Sequence, residues 1–98
     1  MQEDHVSMGW SAARKLRRSV DGLARVVAIE VLTAARALDM RAPLEPAPAT
    51  AAVLTLLRKT VPGPGPDRHL SPEIEQAVDL VRTGAVLAAV ENTIGELR

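Results

Sequence analysis

From Leu16 to Leu38 the apolar positions fall at Leu16, Val20, Leu23, Val27, Val31, Ala34 and Leu38, in steps of three and four residues. That is the period of one face of an α-helix. No proline interrupts the chain between Ser7 and Arg41, so the pattern predicts a single helix over about 7–41. At ~1.5 Å per residue such a helix is a rod of about 50 Å. A compact domain of this length has a radius of gyration near ~13 Å and cannot contain it. Within the rod, Val26–Ala35 is apolar or small all round except at Glu30. A helix of that kind is buried on every side, and the rest of the chain is too short to surround it. The rod is expected to belong inside something larger.

Two proline clusters divide what remains, Pro43-Leu44-Glu45-Pro46-Ala47-Pro48 and Pro62-Gly63-Pro64-Gly65-Pro66. Proline lacks an amide donor and clashes with the preceding turn, so neither cluster is helix interior. Between them, Val53, Leu54, Leu57 and Val61 mark a short amphipathic helix over about 49–60. Arg58 and Lys59 stand in its last turn, where the helix dipole favours positive charge. After the second cluster, Ser71 suits an N-cap and Pro72 a first helical position. Ile74, Ala77, Val78 and Val81 form the stripe of a helix over about 72–83, with Gly84 as its stop. A last helix over about 85–97 carries Leu87, Val90, Ile94 and Leu97. The predicted class is all-α, one long bundle-forming helix followed by three shorter ones, with helix packing as the way to bury the stripes.

Composition narrows the chemistry. The chain has 98 residues, 47% of them hydrophobic, with 12 basic against 12 acidic side chains. Zero net charge removes the general electrostatic case for nucleic acid or an anionic membrane. Trp10 is the single aromatic residue, so no base-stacking platform is available. The absence of cysteine excludes disulfides, thiolate metal sites and Cys nucleophiles. No apolar run approaches the ~20 residues of a membrane span, and the first residues are acidic where a secretory leader is basic. The expected setting is therefore the cytoplasm.

Three groups of residues carry potential chemistry. Arg14-Lys15-Leu16-Arg17-Arg18 is a basic cluster, but on a helix its charges spread around the outside, with Asp21 four residues from Arg17 as a stabilising partner. It reads as a solvated face or a set of inter-subunit ion pairs. Glu30 is the lone charge in the apolar decade. A carboxylate buried there demands a cation, supplied by this chain or another. Gln2-Glu3-Asp4-His5 sets two carboxylates beside an imidazole. Neighbouring residues of a helix or strand point in different directions and rarely converge on one ion. The other histidine, His69, lies in the second loop, and no metal-binding spacing occurs. These residues alone supply no nucleophile–base pair, so on them the chain reads as a helical piece of a larger assembly.

The octet Gln2-Glu3-Asp4-His5-Val6-Ser7-Met8-Gly9 resembles a signature segment of the histidine ammonia-lyase family, QEDHVSMG, which precedes a long helix. The likeness continues through Ala28-Ile29-Glu30 and Thr33-Ala34-Ala35-Arg36-Ala37-Leu38-Asp39. It extends to Asp67-Arg68, Leu70 and Pro72-Glu73-Ile74 near the C-terminus. It spans essentially the whole chain but only the last fifth or so of a family member. The resemblance implies that residues 1–98 are the C-terminal helical segment of a larger lyase domain, not an independent catalytic one. It implies a cytoplasmic homotetramer whose long helices share a central bundle, together with elimination of ammonia from L-histidine to give trans-urocanate. The implied electrophile is 4-methylideneimidazol-5-one (MIO), formed from an internal Ala-Ser-Gly, and no metal is implied.

Glu3 falls on the family's active-site glutamate, facing the substrate's imidazole. A carboxylate can accept a hydrogen bond from an imidazole N–H and bias its protonation. Gln2 is the supporting substrate-binding neighbour, while Asp4 and His5 are expected to shape the loop. In the related phenylalanine and tyrosine lyases this pair reads Asn-Gln, so Gln2-Glu3 points to histidine. The chain departs from the family in three ways. It contains no Ala-Ser-Gly and no tyrosine for the family's base, and Met1 stands where an Asn usually precedes the octet. That start suggests a truncated reading frame, and the isolated chain is expected to be inactive. The competing expectation is a stand-alone helical assembly protein derived from a lyase, without catalysis.

Overall fold

A computed structural model describes residues 2–63, 65 and 70–97, with the side chains of residues 2–7 outside the description. Its described elements are four helices: α1 (Gln2–Met40), α2 (Pro48–Arg58), α3 (Ser71–Arg82) and α4 (Ala85–Ile94). No strand occurs among the described residues, in agreement with the all-α expectation. At 39 residues, α1 sets the shape of the molecule. The radius of gyration is 17.8 Å and the longest dimension 65 Å, well beyond the ~13 Å radius of a compact chain of this size.

The helix ends follow from local chemistry. α1 begins at Gln2 rather than near residue 7, because nothing from Gln2 to Ser7 breaks a helix and extension adds one hydrogen bond per residue. α2 begins with Pro48, whose missing amide costs nothing in a first turn. It ends at Arg58, two residues short of the expected 60, as Lys59 and Thr60 turn back to the carbonyls of Leu56 and Leu57. α3 starts at Ser71, the residue expected to cap it and one before the expected 72. Leu70 already has helical angles and its carbonyl accepts the Ile74 amide at 3.0 Å, so Ser71 is inside the helix and makes no capping bond. Gly84 separates α3 from α4 with φ +80°, a left-handed conformation that costs an L-residue energy and a glycine little. Gly95, with φ +90°, ends α4 at Ile94 instead of near 97. The Leu97 amide then donates to Glu91 Oε2 at 3.0 Å.

α3 packs antiparallel on the C-terminal half of α1, α4 packs on α2, and α3 adjoins α4. Two ion pairs follow the antiparallel direction: Arg25 Nη1 to Glu75 Oε1 at 2.6 Å, and Arg82 Nη2 to Asp21 Oδ1 at 3.2 Å. The core holds Ala28 and Ala35 of α1, Leu57 and Val61 around the end of α2, and Ala77 and Val78 of α3. Alanines on both α1 and α3 allow close approach of the two backbones. The expected stripes of α2 and α3 are the ones that turn inward.

Two stripes behave otherwise. The face that α1 gives to its neighbours runs through Asp21, Arg25, Ala28, Leu32, Ala35 and Asp39. It lies roughly a third of a turn away from the periodic apolar stripe, at 100° per residue. Of that stripe, Val31 and Leu38 are half-buried, while Leu16, Val20 and Leu23 stand exposed. On α4, Leu87 and Ile94 are exposed, and so is Leu97 beyond the helix; Val86, Ala89 and Val90 are half-buried instead. Glycine-led turning of α4 at Gly84 selects that face.

Candidate functional site

The sequence places its candidate site at the N-terminal end of α1. The backbone of Gln2, Glu3, Asp4 and His5 is the first turn of that helix, not a loop; their side chains lie outside the described residues. A loop-shaping task for Asp4 and His5 does not match this helical backbone. About 28 Å of helix separates Gln2 from Asp21, at ~1.5 Å per residue, and Asp21 carries the ion pair to α3. Along this arm Met8, Gly9, Trp10 and every residue of 12–20 are exposed, and Ser11 is half-buried. The guanidinium of Arg14 lies 5.9 Å from the centre of the Trp10 ring, a cation–π contact on an open surface. The backbone of the candidate residues thus lies at a distance along α1 from the packed part of the chain.

The basic cluster Arg14, Lys15, Arg17 and Arg18 is exposed throughout, as a solvated or inter-subunit face would be. Asp21, the expected partner of Arg17, forms its ion pair with Arg82. Glu30 is exposed on the side of α1 turned away from the core, so within this chain it is not the buried charge the apolar decade suggested. The apolar positions around it, Val26 and Ile29, are likewise exposed. His69, Asp67 and Arg68 lie outside the described residues.

A second polar cluster, invisible in the sequence, stands at the other end of α1. Arg58 Nη2 donates to Asp39 Oδ2, and Arg58 Nη1 lies 3.3 Å from the carbonyl oxygens of both Val61 and Pro62. Both side chains are about three-quarters buried. The pair ties the ends of α1 and α2 to the start of the proline–glycine loop. Nineteen residues separate the partners, so no periodicity signals it. The Arg25 guanidinium is held above its usual value by the hydrogen bond and then the charge of Glu75, which keeps it protonated throughout.

Beside Arg58 an open cleft is lined by Ile29, Leu32, Arg36, Val61 and Ile74, among others. Another, between α1, α2 and α4, is lined mainly by Val31, Leu38, Val53, Val86 and Val90. The first cleft also holds Thr33, whose hydroxyl donates to the Ile29 carbonyl at 2.8 Å, and Glu73. Among the described residues no group of three or more His, Asp or Glu is placed to hold a metal. No described helix is long and apolar enough to cross a membrane.

The chain is similar to the histidine ammonia-lyase of Streptomyces coelicolor, 58% identical over 99 residues, covering 100% of this chain and 19% of the relative. It is 57% identical to the Streptomyces griseus enzyme over 99% of this chain and 20% of the relative. It is 44% identical to that of Sorangium cellulosum over 98% and 19%. The chain therefore spans about one-fifth of the length of the curated relatives it matches. No solved structure matches it. The profile of the aromatic amino acid lyases matches residues 1–59, more than half of the chain, and the chain belongs to that family.

Proposed function

We propose that this chain is the C-terminal part of a histidine ammonia-lyase, a cytoplasmic homotetramer that converts L-histidine into trans-urocanate and ammonia. The observation that carries the reading is the similarity of essentially the whole chain to histidine ammonia-lyases, at 56–58% identity for the Streptomyces relatives. The arm of α1 and the Gln2-Glu3 pair fit within it. Residues 1–98 are then the helical end of a larger lyase domain.

Glu3 is the site residue. Its carboxylate accepts a hydrogen bond from the substrate imidazole N–H, which orients the ring and sets its protonation. Gln2 supports it as a substrate-binding neighbour. α1 supplies rigidity: a carboxylate carried on a long helix is placed more accurately than one on a loop. Glu30 has a structural task, met by a cation elsewhere in the assembly.

The MIO electrophile does not fit the residues of this chain. Ala-Ser-Gly is absent, and Ser7-Met8-Gly9 lies within the continuous backbone of α1. No step through that group is assigned to these residues, and the isolated chain is inactive in this reading. The test joins this chain to the upstream four-fifths of the Streptomyces coelicolor relative, in place of the fifth it matches. Urocanate formed from L-histidine by the chimera supports the reading; a folded, assembled chimera without activity overturns it.

A further inference from the structure

N-terminal to Asp21, α1 depends on its own backbone hydrogen bonds. Residues 12–20 are all exposed. Among the described residues, the ion pairs nearest this stretch are those of Asp21 with Arg82 and of Arg25 with Glu75. A helix without tertiary packing is marginal in water below ~12–15 residues, even when it is rich in alanine. Ala12 and Ala13 favour the helix here, but Gly9, Ser11, Ser19 and Val20 are weaker formers. Arg14 stands three and four residues before Arg17 and Arg18, so like charges meet on one face. The Ser19 hydroxyl donates to the Lys15 carbonyl at 3.0 Å, a bond of the kind that slightly destabilises and bends helices. The Trp10–Arg14 contact works the other way, but such contacts are weak on an open surface. Gly22 follows Asp21. It is exposed, with no heavy atom within 4 Å of where a Cβ would stand, so no packing there offsets its poor helix propensity. Past it the helix is pinned: Ala28 is fully buried and Ala35 is 4% exposed.

We infer that α1 consists of two cooperative units that meet at Gly22. The arm, residues 2–20, unwinds and rewinds on its own, while the half from Arg25 onward opens only together with α3. The Asp21–Arg82 and Arg25–Glu75 pairs are the clasp between the two. Both pairs are about half exposed, so the clasp loosens with added salt, whereas the alanine packing behind it does not. Independent opening is the expected behaviour of a segment with few buried apolar contacts. The backbone of Gln2 and Glu3 belongs to the arm. These residues therefore take a fixed position only when the arm is held along its length, and the isolated chain carries them on a segment that exchanges between helix and coil. The device follows from the packing of this chain and does not depend on the reaction proposed above.

The test is amide hydrogen exchange of the full 98-residue chain, read by mass spectrometry on short peptides at successive dilutions. The expected result is exchange in residues 8–20 within about tenfold of an unstructured peptide, and exchange in residues 28–36 slower by a further factor of about ten or more. Gly22→Ala should slow exchange at residues 16–21 by up to about fivefold, the gain in helix propensity expressed as an opening equilibrium. Arg82→Gln should speed exchange at residues 19–25 and leave residues 8–15 as they were. Protection of the arm that disappears on dilution belongs to self-association and agrees with an arm that is labile in the single chain. An arm as strongly protected as residues 28–36 at the lowest concentration overturns the two-unit account. So does a chain that exchanges at one rate throughout, whether fast or slow.

Discussion

Arg82, in the last turn of α3, reaches back to Asp21 of α1 at 3.2 Å, and this ion pair marks where α1 leaves the folded part of the chain. Toward the N-terminus residues 12–20 are exposed without interruption. Toward the C-terminus Ala28 and Ala35 are buried. One helix therefore does two jobs: half of it is core, and half is an arm carrying the candidate site.

That division predicts the behaviour of the isolated chain. With Leu16, Val20, Leu23 and Val26 all exposed, it self-associates or persists as a helical species with loose packing. Light scattering should report masses above the monomer, or a hydrophobic dye should bind while far-ultraviolet circular dichroism stays helical. A monodisperse monomer that melts cooperatively would contradict it.

Leu57 is one of the largest fully buried side chains, 1% exposed. Leu57→Ala should destabilise the helical part by roughly 2–5 kcal/mol, the range for a leucine removed from a packed core. Leu16→Ala on the arm removes no packed side chain, so it should leave the hydrogen-exchange protection of α2 and α3 nearly unchanged, where Leu57→Ala lowers it. Equal effects from the two substitutions would mean that the arm is packed.

The ion pairs should rank by burial. Arg58 is three-quarters buried against Asp39 and also serves two carbonyl groups. Asp39→Asn leaves that guanidinium short of a charged partner, at a cost of about 1–3 kcal/mol. Arg25 and Glu75 are more than half exposed, so their coupling should be smaller and should fade with added salt. Double-mutant cycles at low and high ionic strength check the order.

Gly84 has φ +80° and open space around the position of a Cβ. Gly84→Ala therefore meets no clash and suffers only the left-handed backbone, a loss of roughly 1–2 kcal/mol. Gly84→Asn should lose less. If alanine proves neutral in thermal melts, the α3–α4 turn has another conformation.

The helices were legible because their apolar spacing and proline boundaries act locally. The packed face of α1 was not. Periodicity ranks Leu16, Val20 and Leu23 as core and passes over Asp21 and Arg25, yet α3 brings Arg82 and Glu75 to those two charges. An interface completed by ion pairs looks polar in a linear sequence. The Asp39–Arg58 tie was hidden because its partners come from different helices. Glu3 is proposed only through the likeness of residues 2–9 to a known family. Chemically, adjacent carboxylates that point in different directions have no distinguishing pattern.

In the proposed function Glu3 addresses the imidazole of histidine. Its most direct test is the turnover of L-histidine by the chimera with Glu3 intact and with Glu3→Gln, both checked for the same assembled mass. Losing a hydrogen bond to a charged group is worth ~1.5–3 kcal/mol, so the rate should fall by about one to two orders of magnitude with assembly unchanged. An equal rate from the two proteins would contradict the assignment and take Glu3 out of the site.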